Sequence, residues 1–425
     1  MRNRSKLKRL AAIALGSAAL AFLYESTGPR WETVSSEVTW PDPPVGGGDF
    51  YLDGSTIMSL TVSDPVITLK PASEWKRPMV AEPVEAWMNN AGETLNRRTA
   101  NFFRGTIDHG LQRYFQAPGQ KTAWWHSRDG NIHLISASWM SYTSARTADD
   151  LVPHQTQVWK SLDGGRHWSR LEWPELDDID QFLFIDAQHG YAIGWGPTVR
   201  RTSDGGESWK QIAPPPGAVV PGETRRQFEG VNLGPDGVLR VAYHVDRSAT
   251  APARSVIYRL APDQQAFVPD AVLPDQTVVR LESAPATAES YALYVLSRLD
   301  NESRIDATRD RGHRTGVLST WTNAQPEHVR QVATFDKKLI LGGLDVGHDG
   351  LLLVYAIDPK QAIDDPPVAR MFSSTDAGKT WKQTDDETIY HSKYFDPDTN
   401  TLYSLLGARL KKLSFTMRNT PASED

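Results

Sequence analysis

The sequence predicts a mainly β fold built from repeated units, best read as a six- to seven-bladed β-propeller. Three observations lead there. From about residue 120 onward, short runs rich in Val, Ile, Tyr and Trp alternate with Gly, Asp and Pro turns. A tight turn followed by an alternating strand recurs, as in SRDGNIHLISAS (127–138), AQHGYAIGW (187–195), GPDGVLRVAYH (234–244) and GHDGLLLVYA (347–356). A Gly- and Trp-bearing octapeptide recurs downstream of several of these strands.

The turn-strand feature sets the period. AESYALYVL (288–296) and DTNTLYSLL (398–406) are weaker members of the series. Counted from starts near 131, 190, 237, 291, 350 and 401, the steps are 59, 47, 54, 59 and 51 residues. Units of that size, with three to four short strands each, suit propeller blades. Six units are traceable. A seventh can come from residues 50–75 or 105–126, with strands from both ends of the chain closing the ring.

The octapeptides are SLDGGRHW (161–168), TSDGGESW (202–209) and STDAGKTW (374–381), with TRDRGHRT (308–315) a degenerate fourth. An Asp in a turn accepts hydrogen bonds from backbone N–H groups a few residues on. A Gly supplies a left-handed conformation that a Cβ opposes. A Trp folds over the hairpin and finds a carbonyl for its indole N–H. Every member therefore has a structural task, and a calcium loop would need more oxygen ligands at closer spacing. These octapeptides resemble the Asp-box, or BNR repeat, with the pattern Ser/Thr-x-Asp-x-Gly-x-Ser/Thr-Trp. Thr202, Asp204, Gly206, Ser208 and Trp209 match it fully, as do Ser374, Asp376, Gly378, Thr380 and Trp381. Ser161, Asp163, Gly165 and Trp168 match with His167 in place of the hydroxyl residue. The resemblance implies turns at the outer rim of a sialidase-like propeller, away from its centre. FLFIDAQHGYAIGWGPTVRRTSDGGESWKQI (182–212) is also similar to one repeat of the photosystem II assembly factor type of propeller, a non-catalytic scaffold.

N-terminal to the repeats the domain reading has two parts. Residues 1–27 carry Arg2, Arg4, Lys6, Lys8 and Arg9, then AAIALGSAALAFLY without a charge. A basic head and a short apolar run form an export signal. It is either an uncleaved inner-membrane anchor, the favoured reading, or a signal peptide cleaved after Ala19-Leu20-Ala21 and followed by secretion. Residues 28–118 read as an extension with a PDPPVGGGDF linker (41–50), short β-like runs over 50–72 and a helix over 83–115. Trp87, Ala91 and Leu95, then Phe103, Ile107, Leu111 and Phe115, recur every four residues, which stacks them on one helical face. The propeller is assigned to 119–418.

Composition narrows function. The 425 residues carry a net charge of −6 and no cysteine. That disfavours nucleic acid, which needs a basic face, and removes thiolate catalysis and Cys-based zinc sites. No phosphate-binding loop, His-Glu-x-x-His or Gly-x-Ser-x-Gly is present, so no cofactor or metal is expected and catalytic residues stay unassigned. The sialidase Arg-Ile-Pro motif is absent. The expectation is a non-catalytic exported propeller that binds or scaffolds a protein, or else a glycan, at the cell envelope, with its ligand on the central face. The rival is a divergent exo-acting glycoside hydrolase, whose carboxylate pair would have to assemble from distant blades. Trp124, Trp125 and His126 form the one aromatic cluster that could serve as a binding platform, although core packing explains it as well.

Overall fold

The computed structural model describes residues 30–39, 48–53, 55–63, 99–106, 109–118, 120–138, 156–173, 179–194, 198–217, 228–245, 252–285, 290–300, 314–358, 368–385, 392–406 and 409–418. These form seven four-stranded antiparallel sheets, the blades of a seven-bladed propeller. Blade 1 comprises Gly48–Asp53, Thr56–Ser63, Thr99–Thr106 and Gly110–Pro118. Blade 2 comprises Gln120–His126, His133–Ser138, Thr156–Ser161 and Ser169–Leu171; blade 3 comprises Ile179–Phe184, Gly190–Gly194, Thr198–Thr202 and Lys210–Ile212. Blade 4 comprises Gly230–Leu233, Leu239–Val245, Arg254–Leu260 and Val268–Pro274; blade 5 comprises Gln276–Ser283, Ala292–Leu299, Gly316–Thr322 and Gln325–Phe335. Blade 6 comprises Ile340–Val346, Leu352–Asp358, Val368–Ser374 and Lys382–Asp385. Blade 7 takes Ser392–Asp396, Thr401–Leu406 and Arg409–Arg418 from one end of the chain and Arg30–Thr39 from the other. Arg30 pairs with Arg418 and Thr39 with Arg409, so the early strand closes the ring as the outermost strand of the last blade.

First strands of neighbouring sheets pack on one another: those of blades 1 and 7, 2 and 3, 4 and 5, and 5 and 6. The first strand of each blade is therefore the inner one. The core lies between blades as a series of apolar clusters. One joins Tyr191, Ile193 and Val199 of blade 3 to Leu239, Val241 and Tyr258 of blade 4; another joins Leu296 and Leu318 of blade 5 to Leu344 and Val354 of blade 6. Period-two alternation buries one face of each strand against each neighbour. The repeated turn-strand feature proves to be the second strand of blades 2 to 7, entered through its hairpin.

Two expectations are corrected. Thr99–Thr106 and Gly110–Pro118 are two strands, not helix. Phe102 pairs with Phe115, and a tight turn carries a bond from the His109 N–H to the Thr106 carbonyl at 3.3 Å. A spacing of four is an even number, so it keeps residues on one face of a strand as well as of a helix. The Thr, Phe and Tyr content, with Gly105 and Gly110, settles the ambiguity for strand. The remainder of that expected helix, with Trp87, Ala91 and Leu95, lies outside the described residues, as does segment 1–27. The second correction concerns the extension: Gly48–Asp53, Thr56–Ser63, Thr99–Thr106 and Gly110–Pro118 form a full blade, the seventh unit for which residues 50–75 or 105–126 were the candidates. Its signal was present: Asp53-Gly54 precedes TIMSLTV as the other Asp-Gly turns precede their strands. Among the described residues no helix is long and apolar enough to cross a membrane.

Candidate functional site

The three octapeptides fold alike, each linking the third strand of a blade to the outermost one. In blade 3 the Thr202 hydroxyl donates to Asp204 Oδ1 at 2.7 Å and accepts from the Gly206 N–H at 2.9 Å. Asp204 then accepts from the Ser208 N–H at 2.9 Å and from its hydroxyl at 2.5 Å. The Trp209 indole donates to the Gly206 carbonyl at 2.9 Å. Ser374, Asp376, Gly378, Thr380 and Trp381 repeat every bond in blade 6. In blade 2 the imidazole of His167 takes the hydroxyl's place, its Nδ1 lying 2.5 Å from Asp163 Oδ2, while Ser161, Gly165 and Trp168 bond as their counterparts do. The His167 backbone N–H is the largest of the bonds that hold Asp163 far below the usual carboxylate range. Burial opposes the same effect at Asp204, but the Ser208 and Thr202 donors outweigh it and hold its carboxyl at about 2. Among the described residues, the hydrogen bonds these aspartate side chains accept come from their own loops.

The turns also wedge blades together. Gly165 has φ +80°, and a Cβ there would run into the ring of Phe102 in blade 1. Trp168 lies 4.7 Å from Phe115 of blade 1 in a stacked arrangement, and Trp381 lies 5.4 Å from Phe335 of blade 5.

Strand alternation separates the aromatic trio of blade 2. Trp124 packs toward blade 1, 6.1 Å from Phe102, whereas Trp125 packs toward blade 3, 4.3 Å from Phe184. His126 lies tilted against Tyr51 of blade 1, with ring centroids 3.6 Å apart. The three do not form one platform; they fill two interblade cores. Trp124 donates to His133 Nδ1 at 3.3 Å, and His133 Nε2 faces the Gly130 carbonyl at 3.0 Å. An indole N–H can only donate and a carbonyl only accept, which fixes His133 as the neutral Nε2–H tautomer. Burial first, then His126, bring its pKa down to about 3.

A different group of side chains gathers on the inner strands of blades 5, 6 and 7. Arg280 and Glu282, two residues apart in one strand, share a face, and Arg280 Nε donates to Glu282 Oε1 at 2.7 Å. Lys393 of blade 7 donates to Asp345 of blade 6 at 3.3 Å. Its Nζ also lies 3.0 Å from the ring centroid of Tyr355, on the second strand of blade 6. A bulge between Leu341 and Gly343 shapes this inner strand, and a Cβ on Gly343 would sit 3.4 Å from Lys393 Nζ and 3.3 Å from the Tyr355 ring. The side chains keep contact with water, 48% exposed at Arg280 and 24% at Glu282, although protein surrounds them closely. Burial pushes the Glu282 carboxyl up, Asp345 adds to it, and Arg280 pulls the other way. Burial pulls the Lys393 ammonium down, with Asp345 opposing, and burial raises the Tyr355 hydroxyl.

None of these five residues stood out in the sequence. Each is an ordinary charged or aromatic residue in a short strand; the one available signal was that RLE (280–282), LDV (344–346) and SKY (392–394) all interrupt the opening strand of a unit. Among the described residues no group of three or more His, Asp or Glu is placed to hold a metal.

In shape the chain is similar to the solved structure of YCF48 bound to D1 peptide, with a TM-score of 0.51 at 12% identity over 89% of this chain and 96% of that one. That likeness shows the fold. A second YCF48 structure, from Cyanidioschyzon merolae, gives a TM-score of 0.46 at 12% identity over 79% and 97% of the two chains. No family model and no curated protein matches the sequence.

Proposed function

We propose that the chain is a non-catalytic propeller that binds a protein partner, with the inner-strand cluster of blades 5 to 7 as its contact. The observation that carries this reading is the internal pairing of the cluster. Arg280 engages Glu282 and Lys393 engages Asp345, so each carboxylate holds a cation in place on the inner strands, where a partner's groups can meet it. The shared fold adds support, since the YCF48 structure is a complex with a peptide. In the same reading the octapeptides are structural Asp-boxes, and the basic head and apolar run of residues 1–27 anchor the propeller outside the cytoplasmic membrane.

One observation favours a second reading, a glycoside hydrolase. Glu282 is a carboxyl raised by burial beside a second carboxylate, the arrangement of an acid and its partner. Two assays on the full chain in detergent separate the two: capture of a partner from envelope extract, and turnover of a fluorogenic glycoside panel that includes a sialoside. A stoichiometric protein partner without turnover is expected. Turnover that dies in Glu282→Gln would replace the scaffold reading with the enzymatic one.

A further inference from the structure

We infer that the inner-strand cluster recognises a carboxylate: the exposed end of Arg280, flanked by Lys393, receives an acidic side chain of an extended peptide. This rests on the scaffold reading above and deepens it.

The geometry of Arg280 is the starting point. Its Nε is committed to Glu282, and among the described residues Glu282 is its only bonded partner. A guanidinium carries five N–H donors in a planar fork. With Nε engaged, the terminal nitrogens remain, and nearly half of the side chain faces water within a closely walled site. A planar group with two acceptor oxygens fits that fork in bidentate fashion. Lys393 supplies a second cation, positioned by Asp345 at 3.3 Å and by the Tyr355 ring at 3.0 Å.

Charge decides between anions. The groups facing one another are Arg280 and Glu282 from blade 5, Asp345 and Tyr355 from blade 6, and Lys393 from blade 7. Their formal charges cancel, two positive against two negative. A carboxylate adds one negative charge, which a single proton on Glu282 offsets, and burial already pushes that carboxyl toward its neutral form. A phosphate adds nearly two charges at neutral pH, which one proton does not cancel. Binding of a carboxylate therefore takes up a proton and strengthens as pH falls.

The test is calorimetric titration of the full chain with a capped Gly-Glu-Glu-Gly peptide and its Gln counterpart at pH 6 and pH 8. The Glu peptide is expected to bind about tenfold tighter than the Gln peptide at pH 6, the margin of one charge-assisted bidentate contact, and to weaken at pH 8. Arg280→Lys should remove most of that margin, and Glu282→Gln should flatten the pH dependence. Equal affinity for the two peptides, an unchanged margin in folded Arg280→Lys, or pH-independent binding would each overturn the inference. So would binding of a sialylated sugar in place of the peptide. If Arg280→Lys fails to fold, the two peptides on the wild-type chain decide the matter alone. A partner captured equally well by wild type and Arg280→Lys would leave the scaffold reading standing and remove this one.

Discussion

Blades 2, 3 and 6 carry the Trp octapeptide, and blades 4 and 5 do not. The outermost strands of the first group have only 3, 3 and 4 residues. Those of blades 4 and 5 have 7 and 11. Where a turn bonds to itself and drops a Trp into the interblade core, three or four rungs of ladder suffice to hold the rim. Where that turn is missing, ladder length replaces it. The junction of blades 4 and 5 also relies on buried charge. A bulge in Val268–Pro274 presents Asp270, which accepts from Arg240 Nε at 2.9 Å; both side chains are 1% exposed. Arg240 reaches on to the Tyr291 hydroxyl of blade 5 at 2.6 Å. The rim is thus sealed in two ways, by aromatic turns, or by a long strand and an arginine that a carboxylate of its own blade holds against Tyr291 of the next.

The largest effect should come from breaking the ionic seal. Asp270→Ala removes the shorter of the two carboxylate contacts of the buried Arg240 guanidinium and leaves only Asp236 at 3.7 Å, with an expected loss of about 3 kcal/mol in urea unfolding. Replacing both partners, Arg240→Met with Asp270→Leu, should recover most of that loss. Next comes the aromatic seal. Gly165→Ala combines a left-handed backbone with a collision against Phe102 and is expected to cost about 2–4 kcal/mol. Gly217, with φ +79° and nothing within 4 Å of a Cβ, isolates the backbone part, so Gly217→Ala should cost only about 1 kcal/mol. Equal losses at the two glycines would show that the turn does not wedge against blade 1.

Acid probes the aromatic side next. His133, between blades 1 and 2, stays neutral in the fold but protonates when the chain unfolds. Unfolding therefore takes up protons below about pH 6.5, and stability falls as pH drops from there toward about 3. Between pH 7.5 and pH 5 the loss should be about 2 kcal/mol, and His133→Gln should flatten this part of the profile. The smallest effect belongs to His167→Thr, which restores the hydroxyl of the other two turns on an exposed loop. Stability in urea unfolding should move by no more than about 0.5 kcal/mol, because a threonine hydroxyl can meet the Asp163 carboxylate as that of Thr380 meets Asp376.

The parts of this molecule that were legible in the sequence are those whose chemistry is local. A hairpin needs its Asp-Gly and a turn needs its Ser, Asp, Gly and Trp within eight residues, so six second strands and three rim turns could be read in order. Blade 1 was only partly read: residues 50–75 and 105–126 stood as alternative sources of a seventh unit, and they were not joined because Phe103, Ile107, Leu111 and Phe115 fit two periods at once. Trp124, Trp125 and His126 looked like one cluster because adjacency in sequence is opposition in a strand. The inner-strand group was illegible for the reverse reason. Arg280, Asp345 and Lys393 are scores of residues apart and meet only when blades 5, 6 and 7 stand side by side.

The pairing of Arg30–Thr39 with Arg409–Arg418 has a consequence in time. The early strand leaves the ribosome nearly a whole chain length before its partner exists. Until then it is a bare edge, while the intermediate blades stack as an open arc. The last contact to form joins the most distant residues and carries the greatest loop-closure entropy. A break in the ring at another interblade link, with the present ends joined, would move that wait elsewhere; a permutant that links Arg418 to Arg30 should complete its folding sooner.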